Sequence, residues 1–227
     1  MFLANALTKL VASLFSSMYM VITKADKKIA VTSVAREHLK NLFQHRVPLC
    51  DLSASKKLNS KYKVSVGGNK YHIHIGKATY HSVDNASIKG DVDMPAGKPW
   101  TLHLVNGRQA QFDFPQAHVH VMRRIDERCP GSAPQIGERV WYVYGEVQNA
   151  VLQYEKAEDL GFATETDGFR ADVVYYYEHS VRNALESIFE IFNANPAVLF
   201  EDLLRNARNK RNRQSEISSF FTSVTKS

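Results

Sequence analysis

Apolar positions along the chain change period several times, and each change predicts an element. Leu3, Leu7, Leu10 and Leu14 recur at helical spacing, with Val11, Phe15 and Met18 beside them. That pattern predicts an amphipathic helix packed on a core. A second helix is predicted over about 32–44. Ala35, Leu39, Leu42 and Phe43 line one face, Arg36, Lys40 and Arg46 are left to solvent or phosphate, and Pro48 stops it. Residues 49–63 read as a basic, Ser-rich connection. From Val64 to Phe114 the period drops to two. Tyr71, Ile73 and Ile75 alternate with His72 and His74, and Trp100, Leu102 and Leu104 alternate ahead of Asn106-Gly107. Ala110, Phe112 and Phe114 alternate after it, so a hairpin with a type I′ turn is predicted. Helical spacing returns at 118–128 through Val121, Met122 and Ile125. Residues 139–147 read as a buried strand, 175–192 as a helix striped by Val181, Leu185, Ile188 and Phe192, and 197–208 as another helix.

Composition fits such a mixture. The 227 residues are 44% hydrophobic and 23% charged, which suits one large globular domain or two small ones. The net charge of +6 is unevenly spread: residues 1–80 carry +10, 81–150 carry −1, 151–200 carry −6 and 201–227 carry +3. Basic ends around an acidic middle point to a polyanion, because clustered Lys and Arg displace the counterions of a phosphate backbone. Cys50 and Cys129 are too few for a disulfide framework or a four-Cys zinc site, and are expected as buried or inert thiols in a reducing compartment. The uncharged run Leu10–Thr23 is shorter than the roughly 20 residues a spanning helix needs, so no membrane partner is expected.

Enzyme chemistry finds little support in the motifs. His72, His74 and His81 share strand spacing suited to a metal, but no Cys or acidic ligand completes the set, and a solvated polar face is the simpler expectation. A metal-dependent enzyme on this segment would need such a set. His118 and His120 lie two apart on a predicted helix and do not share a face. Asp91 and Asp93 have the pairing of a two-metal site, yet Lys89 before and Met94-Pro95 after read as a loop. There is no phosphate-binding Gly-rich loop followed by Lys-Ser/Thr, and no nucleophile elbow.

Residues 115–144, PQAHVHVMRRIDERCPGSAPQIGERVWYVY, resemble the thumb of family B DNA polymerases, especially the delta-like and large-virus branch. The resembling positions are His118-Val119, Arg123-Arg124, Gly137-Glu138-Arg139-Val140 and Tyr142-Val143; Ala117 and Trp141 stand where the family has proline. Downstream, Glu155 to Asp159 resembles an acidic Ala-Glu-Asp-Pro segment, with Leu160 for proline. Ala171-Asp172, Tyr175 to Glu178, Leu185 and Ile188-Phe189-Glu190 are similar to an Ile-Asp, Tyr-Tyr-Ile-Glu, Leu and Arg-Ile-Phe-Glu series; Ser180, Ala184 and Ser187 depart from it. Val47-Pro48-Leu49, Leu52, Ser55-Lys56 and Leu58 are similar to the segment that leads from palm into thumb. The resemblance implies a helical palm-to-thumb region (1–63) and a mainly helical thumb (115–204); with the alternating segment as an inserted antiparallel β subdomain that the family usually lacks (64–114) and a disordered basic tail (205–227), the expected fold is α+β.

The family's catalytic Asp…Ser-Leu-Tyr-Pro and Tyr-Gly-Asp-Thr-Asp motifs are absent, and so are its exonuclease motifs. The resemblance therefore implies a fragment, a split-gene product or a degenerate copy, with no catalytic residue and no cofactor of its own. Mg²⁺ would serve the intact polymerase. The thumb's implied task is gripping primer–template duplex, mainly through phosphates. Lys56, Lys57, Lys61, Lys63, Arg123, Arg124, Arg128 and Arg139 are the candidate contacts.

The tail adds QSEISSFF at 214–221, which fits the sliding-clamp-binding pattern through Gln214, Ile217, Phe220 and Phe221. One 3₁₀ turn brings Ile217 and Phe220 to the same side, and Phe221 completes an apolar plug. Arg205, Arg208, Lys210, Arg211 and Arg213 precede it as a basic run, suited to DNA passing through a clamp or to nuclear import. Expected partners are duplex DNA, a sliding clamp and the palm and fingers, in a nucleus or viral replication compartment. The alternative expectation is a stand-alone, non-catalytic regulator that binds clamp and DNA.

Overall fold

The computed structural model describes residues 5–19, 24–97, 99–147 and 152–210. Its chain is α+β and divides into two units. The first holds 5–54, 144–147 and 164–210 of the described residues, and the second 55–143 and 152–163. These units cut across the boundaries expected at 63/64 and 114/115. Among the described residues no helix is long and apolar enough to cross a membrane.

In the first unit the predicted helices form, and the described positions of their apolar stripes are buried. Leu10 and Leu14 of α1 (Asn5–Tyr19) are buried, while Phe15, one residue round the helix, is exposed. Helix α2 (Lys24–Phe43) buries Ala35, Leu39, Leu42 and Phe43, and starts eight residues ahead of its expected start. Nothing between 24 and 43 is Gly or Pro, so the polar first turns propagate once nucleated. The helix ends at His45, whose φ of 55° takes the left-handed position usual for glycine. There Arg46 N donates to Asn41 O at 2.9 Å. The short α3 (Leu49–Leu52) occupies part of the expected connection 49–63.

Strands β1 (Ala54–Lys57), β2 (Lys61–Val66), β3 (Asn69–His74), β4 (Thr79–Ser82), β5 (Lys89–Asp93), β6 (Trp100–His103) and β7 (Gln109–Phe112) follow. Then come α4 (Ala117–Arg128), β8 (Arg139–Tyr144), β9 (Ala157–Asp159) and α5 (Leu160–Glu165). The first unit closes with α6 (Val173–Tyr176), a π turn at Tyr177–Val181, α7 (Arg182–Glu190), α8 (Pro196–Leu199) and helical residues 201–210. Val181, Leu185, Ile188 and Phe192 pack with the α2 stripe, and Phe200 and Leu204 complete that core. Arg36, expected to face solvent or phosphate, instead donates to Asp202 and to Leu199 O, both at 2.7 Å.

In the second unit β2 to β7 form a six-stranded meander in sequence order, and β1, β8 and β9 form a three-stranded sheet with β8 central. The hairpin around Asn106-Gly107 forms, with Trp100 opposite Phe112 and His103 opposite Gln109. Its turn is not type I′. Only Gly107 has positive φ (75°), and Gly107 N donates to Leu104 O while Leu104 N donates to Arg108 O. This is a type I turn closed by a Gly bulge, the three-residue solution. The two-residue turn that does place both central residues at positive φ is Gly67-Gly68, between Val66 and Asn69.

Several local expectations change. Asp91 and Asp93 lie on strand β5, not in a loop. Gly90, just before Asp91, leaves room for its neighbours, since a Cβ there would meet His103 O at 2.5 Å and the Tyr80 ring at 2.9 Å. Strand β8 buries Val140 and Tyr142 on one face, while on the other Arg139 and Trp141 are exposed and only Val143 is buried. Cys50 and Cys129 are both exposed rather than buried.

Candidate nucleic-acid interface

All eight expected DNA contacts lie in the second unit, but they differ in how far the fold has already used them. Lys57, Lys61 and Lys63 are exposed on β1 and β2. Lys56 donates to Gln116 Oε1 at 3.0 Å and stays at the surface. Arg139 donates to Ser55 Oγ at 3.0 Å, tying β8 to β1 through a neutral partner rather than an ion pair.

The α4 arginines are held more firmly. Arg123 donates to Met94 O at 2.6 Å and pairs with Asp126 at 3.3 Å. Arg124 reaches the carbonyls of Ala157 and Glu155, joining α4 to β9 and the 3₁₀ turn at Gln153–Lys156. Arg128 pairs with Glu158 at 2.8 Å and lies 3.8 Å over the Phe162 ring. The Arg124 and Arg128 contacts fasten the basic helix to the acidic segment at 155–159.

Two buried histidines anchor the first turn of α4 in different directions. Asn59 N donates to the Tyr62 hydroxyl at 3.0 Å, and that hydroxyl lies 2.7 Å from His118 Nε2. The one hydroxyl proton of Tyr62 is free to be donated to His118 Nε2 when that nitrogen is the bare one of a neutral imidazole. His120 has Phe114 O at 2.6 Å and Ala96 O at 3.2 Å on its two nitrogens, and stacks on Tyr154 at 4.1 Å. Its neighbour Trp100 is fully buried and stacks on Phe114 at 4.3 Å. The sequence showed that the two histidines point apart. It did not show that both are buried.

Burial, then the nearby Lys56 and His120, lower the His118 pKa from 6.5 to about 4. Burial also lowers His120, against its two carbonyl partners. A lowered folded-state value means that the unfolded chain binds more protons between about 4 and 6.5, so stability falls as pH drops through that window. A shift of this size is worth on the order of 2–3 kcal/mol for His118. The urea midpoint of the second unit is expected to fall between pH 6.5 and 4, and His118→Gln is expected to flatten that fall when midpoints are measured across the series.

His72, His74 and His81 are linked but do not form a metal set. His81 Nε2 lies 3.2 Å from His72 Nδ1, and His81 Nδ1 lies 2.8 Å from His74 Nε2. The central ring uses its two nitrogens in opposite directions, so the three do not converge. Among the described residues no group of three His, Cys, Asp or Glu side chains is arranged to hold a metal. Asp93 pairs with His103 at 2.7 Å. Gln214, Ile217, Phe220 and Phe221 lie outside the described residues.

In the first unit, Asp172 is buried and caps α6 by accepting from Tyr175 N at 3.0 Å. Its own N–H donates to Tyr144 O at 2.9 Å, and Tyr144 N donates to the Tyr176 hydroxyl at 2.9 Å. The Asp-…-Tyr-Tyr spacing is thus a cap followed by an anchor.

Comparison with known proteins bears on these contacts together. Residues 102–192 match the model of DNA polymerase family B. This stretch is similar to a region of DNA polymerase family B. It begins within β6, ahead of Pro115, and spans the α4 arginines, the acidic segment and the Asp172 cap. The chain is 40% identical over 81 residues to the DNA polymerase delta catalytic subunit of Bos taurus, covering 36% of this chain and 7% of that protein. It is 36% identical over 91 residues to that of Drosophila melanogaster, covering 39% and 8%, and 40% identical over 78 residues to that of Candida albicans, covering 34% and 7%. The match thus spans less than a tenth of these relatives' length.

Proposed function

We propose that this chain supplies the thumb of a family B DNA polymerase of the delta-like, large-virus branch. In this reading it grips primer–template duplex through Lys56, Lys57, Lys61, Lys63 and the outer faces of Arg123, Arg124, Arg128 and Arg139. It works beside a palm and fingers that carry the catalytic carboxylates and Mg²⁺, in a nucleus or viral replication compartment. The observation that carries the reading is the similarity of residues 102–192 to DNA polymerase family B, together with the similarity to DNA polymerase delta catalytic subunits. The exposed lysines of β1 and β2 support it, because duplex grip independent of sequence rests on phosphate contacts.

Gln214, Ile217, Phe220 and Phe221 are the proposed clamp plug, and the preceding basic run keeps it beside DNA. Tethering raises the effective concentration of enzyme on its template. Phe220→Ala combined with Phe221→Ala is expected to abolish clamp binding in calorimetry and leave duplex affinity unchanged. Unchanged clamp binding by that double variant contradicts the tail assignment. With Mg²⁺ and nucleotides the chain alone is expected to extend no primer; incorporation by the purified chain contradicts the division of labour.

A further inference from the structure

The six-stranded sheet has one apolar face and one charged face, and apart from Lys61 and Lys63 the charged face carries none of the thumb contacts named above. Strand register assigns it directly. Lys61 stands opposite His74, Lys63 opposite His72, and Ser65 opposite Lys70. His81 stands opposite His72 on one side and Lys89 on the other, with Thr79 opposite Asp91. Directly paired residues share a face. Across β2 to β5 that face therefore carries four lysines, three histidines and two acids, Asp91 and Asp93.

Lys61, Lys63, Lys70 and Lys89 are exposed, and Lys77 stands exposed in the turn beside His74. The intervening residues Tyr71, Ile73, Tyr80 and Val92 are buried on the other side. No Phe, Tyr or Trp stands on the charged face, so it offers cations without the stacking platforms that single-stranded bases use. Alternate residues on a strand lie about 6.7 Å apart, close to two base-pair rises of a duplex.

We propose that this β2–β5 face is a second phosphate-binding platform for duplex DNA, whose affinity rises as its histidines take protons. It rests on the DNA-binding reading only for the choice of polyanion. His81 is the centre of the chain of imidazoles: with both nitrogens protonated it donates to His72 Nδ1 and His74 Nε2 together, so the cluster accepts one proton without losing a hydrogen bond. Burial, then Lys61 and the neighbouring imidazoles, hold His72 below its ordinary value; burial, then His81, Lys61 and Lys77, do so for His74. A phosphate laid across the face offsets that repulsion, and binding takes up protons. Asp91 and the Asp93–His103 pair lie toward β5 and β6 and mark the acidic edge of the platform.

The test is fluorescence anisotropy with a random-sequence duplex at constant ionic strength, in EDTA, at pH 7.5 and 5.5. Circular dichroism at each pH establishes the fold. The wild-type chain is expected to bind about tenfold tighter at pH 5.5. His72→Gln, His74→Gln and His81→Gln combined are expected to remove that gain. Lys70→Glu with Lys89→Glu is expected to weaken binding about tenfold and reduce the salt slope by about two. Wild-type pH dependence in the triple variant, or wild-type affinity and slope in the lysine variant, overturns the platform. If Lys56→Glu with Lys57→Glu weakens binding in that event, the thumb grip survives alone. Equal binding to polyglutamate also overturns the proposal, in favour of an acidic protein.

Discussion

Trp100→Ala is expected to destabilise the second unit by about 3–5 kcal/mol, the largest single effect in the molecule. The ring is fully buried, stacks on Phe114 and lies 5.3 Å from His120. Its Nε1 donates to Pro95 O at 3.2 Å, so truncation removes packing and strands a carbonyl. His120 and Tyr154 stack behind it, which leaves little that can collapse into the space. Urea unfolding followed by fluorescence of the remaining Trp141 measures the change. Trp100→Phe is expected to recover part of the loss. A Trp100→Ala midpoint equal to that of wild type contradicts this view of the core.

Arg124→Ala follows, at about 2–4 kcal/mol, from the two carbonyls it leaves without a donor. Ala157 is fully buried, and Glu155 O lies 3.2 Å from the second guanidinium nitrogen. Arg124→Lys is expected to keep the charge and still lose much of the stability, because one ammonium does not reproduce the guanidinium fork. That pair separates a structural arginine from a phosphate ligand. If Arg124 serves phosphate alone, both variants unfold like wild type and differ only in duplex affinity.

These arginines show what a sequence reveals and what it conceals. Charge and spacing mark Arg123, Arg124 and Arg128 as one basic group, but their partners at Met94, Ala157 and Glu158 lie about 30 residues away. Strands β3, β6 and β7 were legible because their alternation is strict. Strand β5 was not, because Lys89, Asp91 and Asp93 on one face and Gly90 on the other have the composition of a loop. The first half of α2 was hidden for the same reason: its turns are polar, and its apolar stripe begins late. The division into units was illegible because its core joins distant segments. Arg36 and Asp202, 166 positions apart, pair inside one unit. The spacing of the α4 histidines showed only that they do not share a face, since a buried imidazole is recognised only once its hydroxyl or carbonyl partners are in place.

The central claim is duplex grip through phosphates, and the salt dependence of duplex binding tests it most directly. Anisotropy of a labelled primer–template, measured from 50 to 200 mM salt on several unrelated sequences, is predicted to show one affinity for all sequences. It is also predicted to show a loss of at least tenfold across that range. Absence of binding at 50 mM salt, or binding indifferent to salt, would contradict the account.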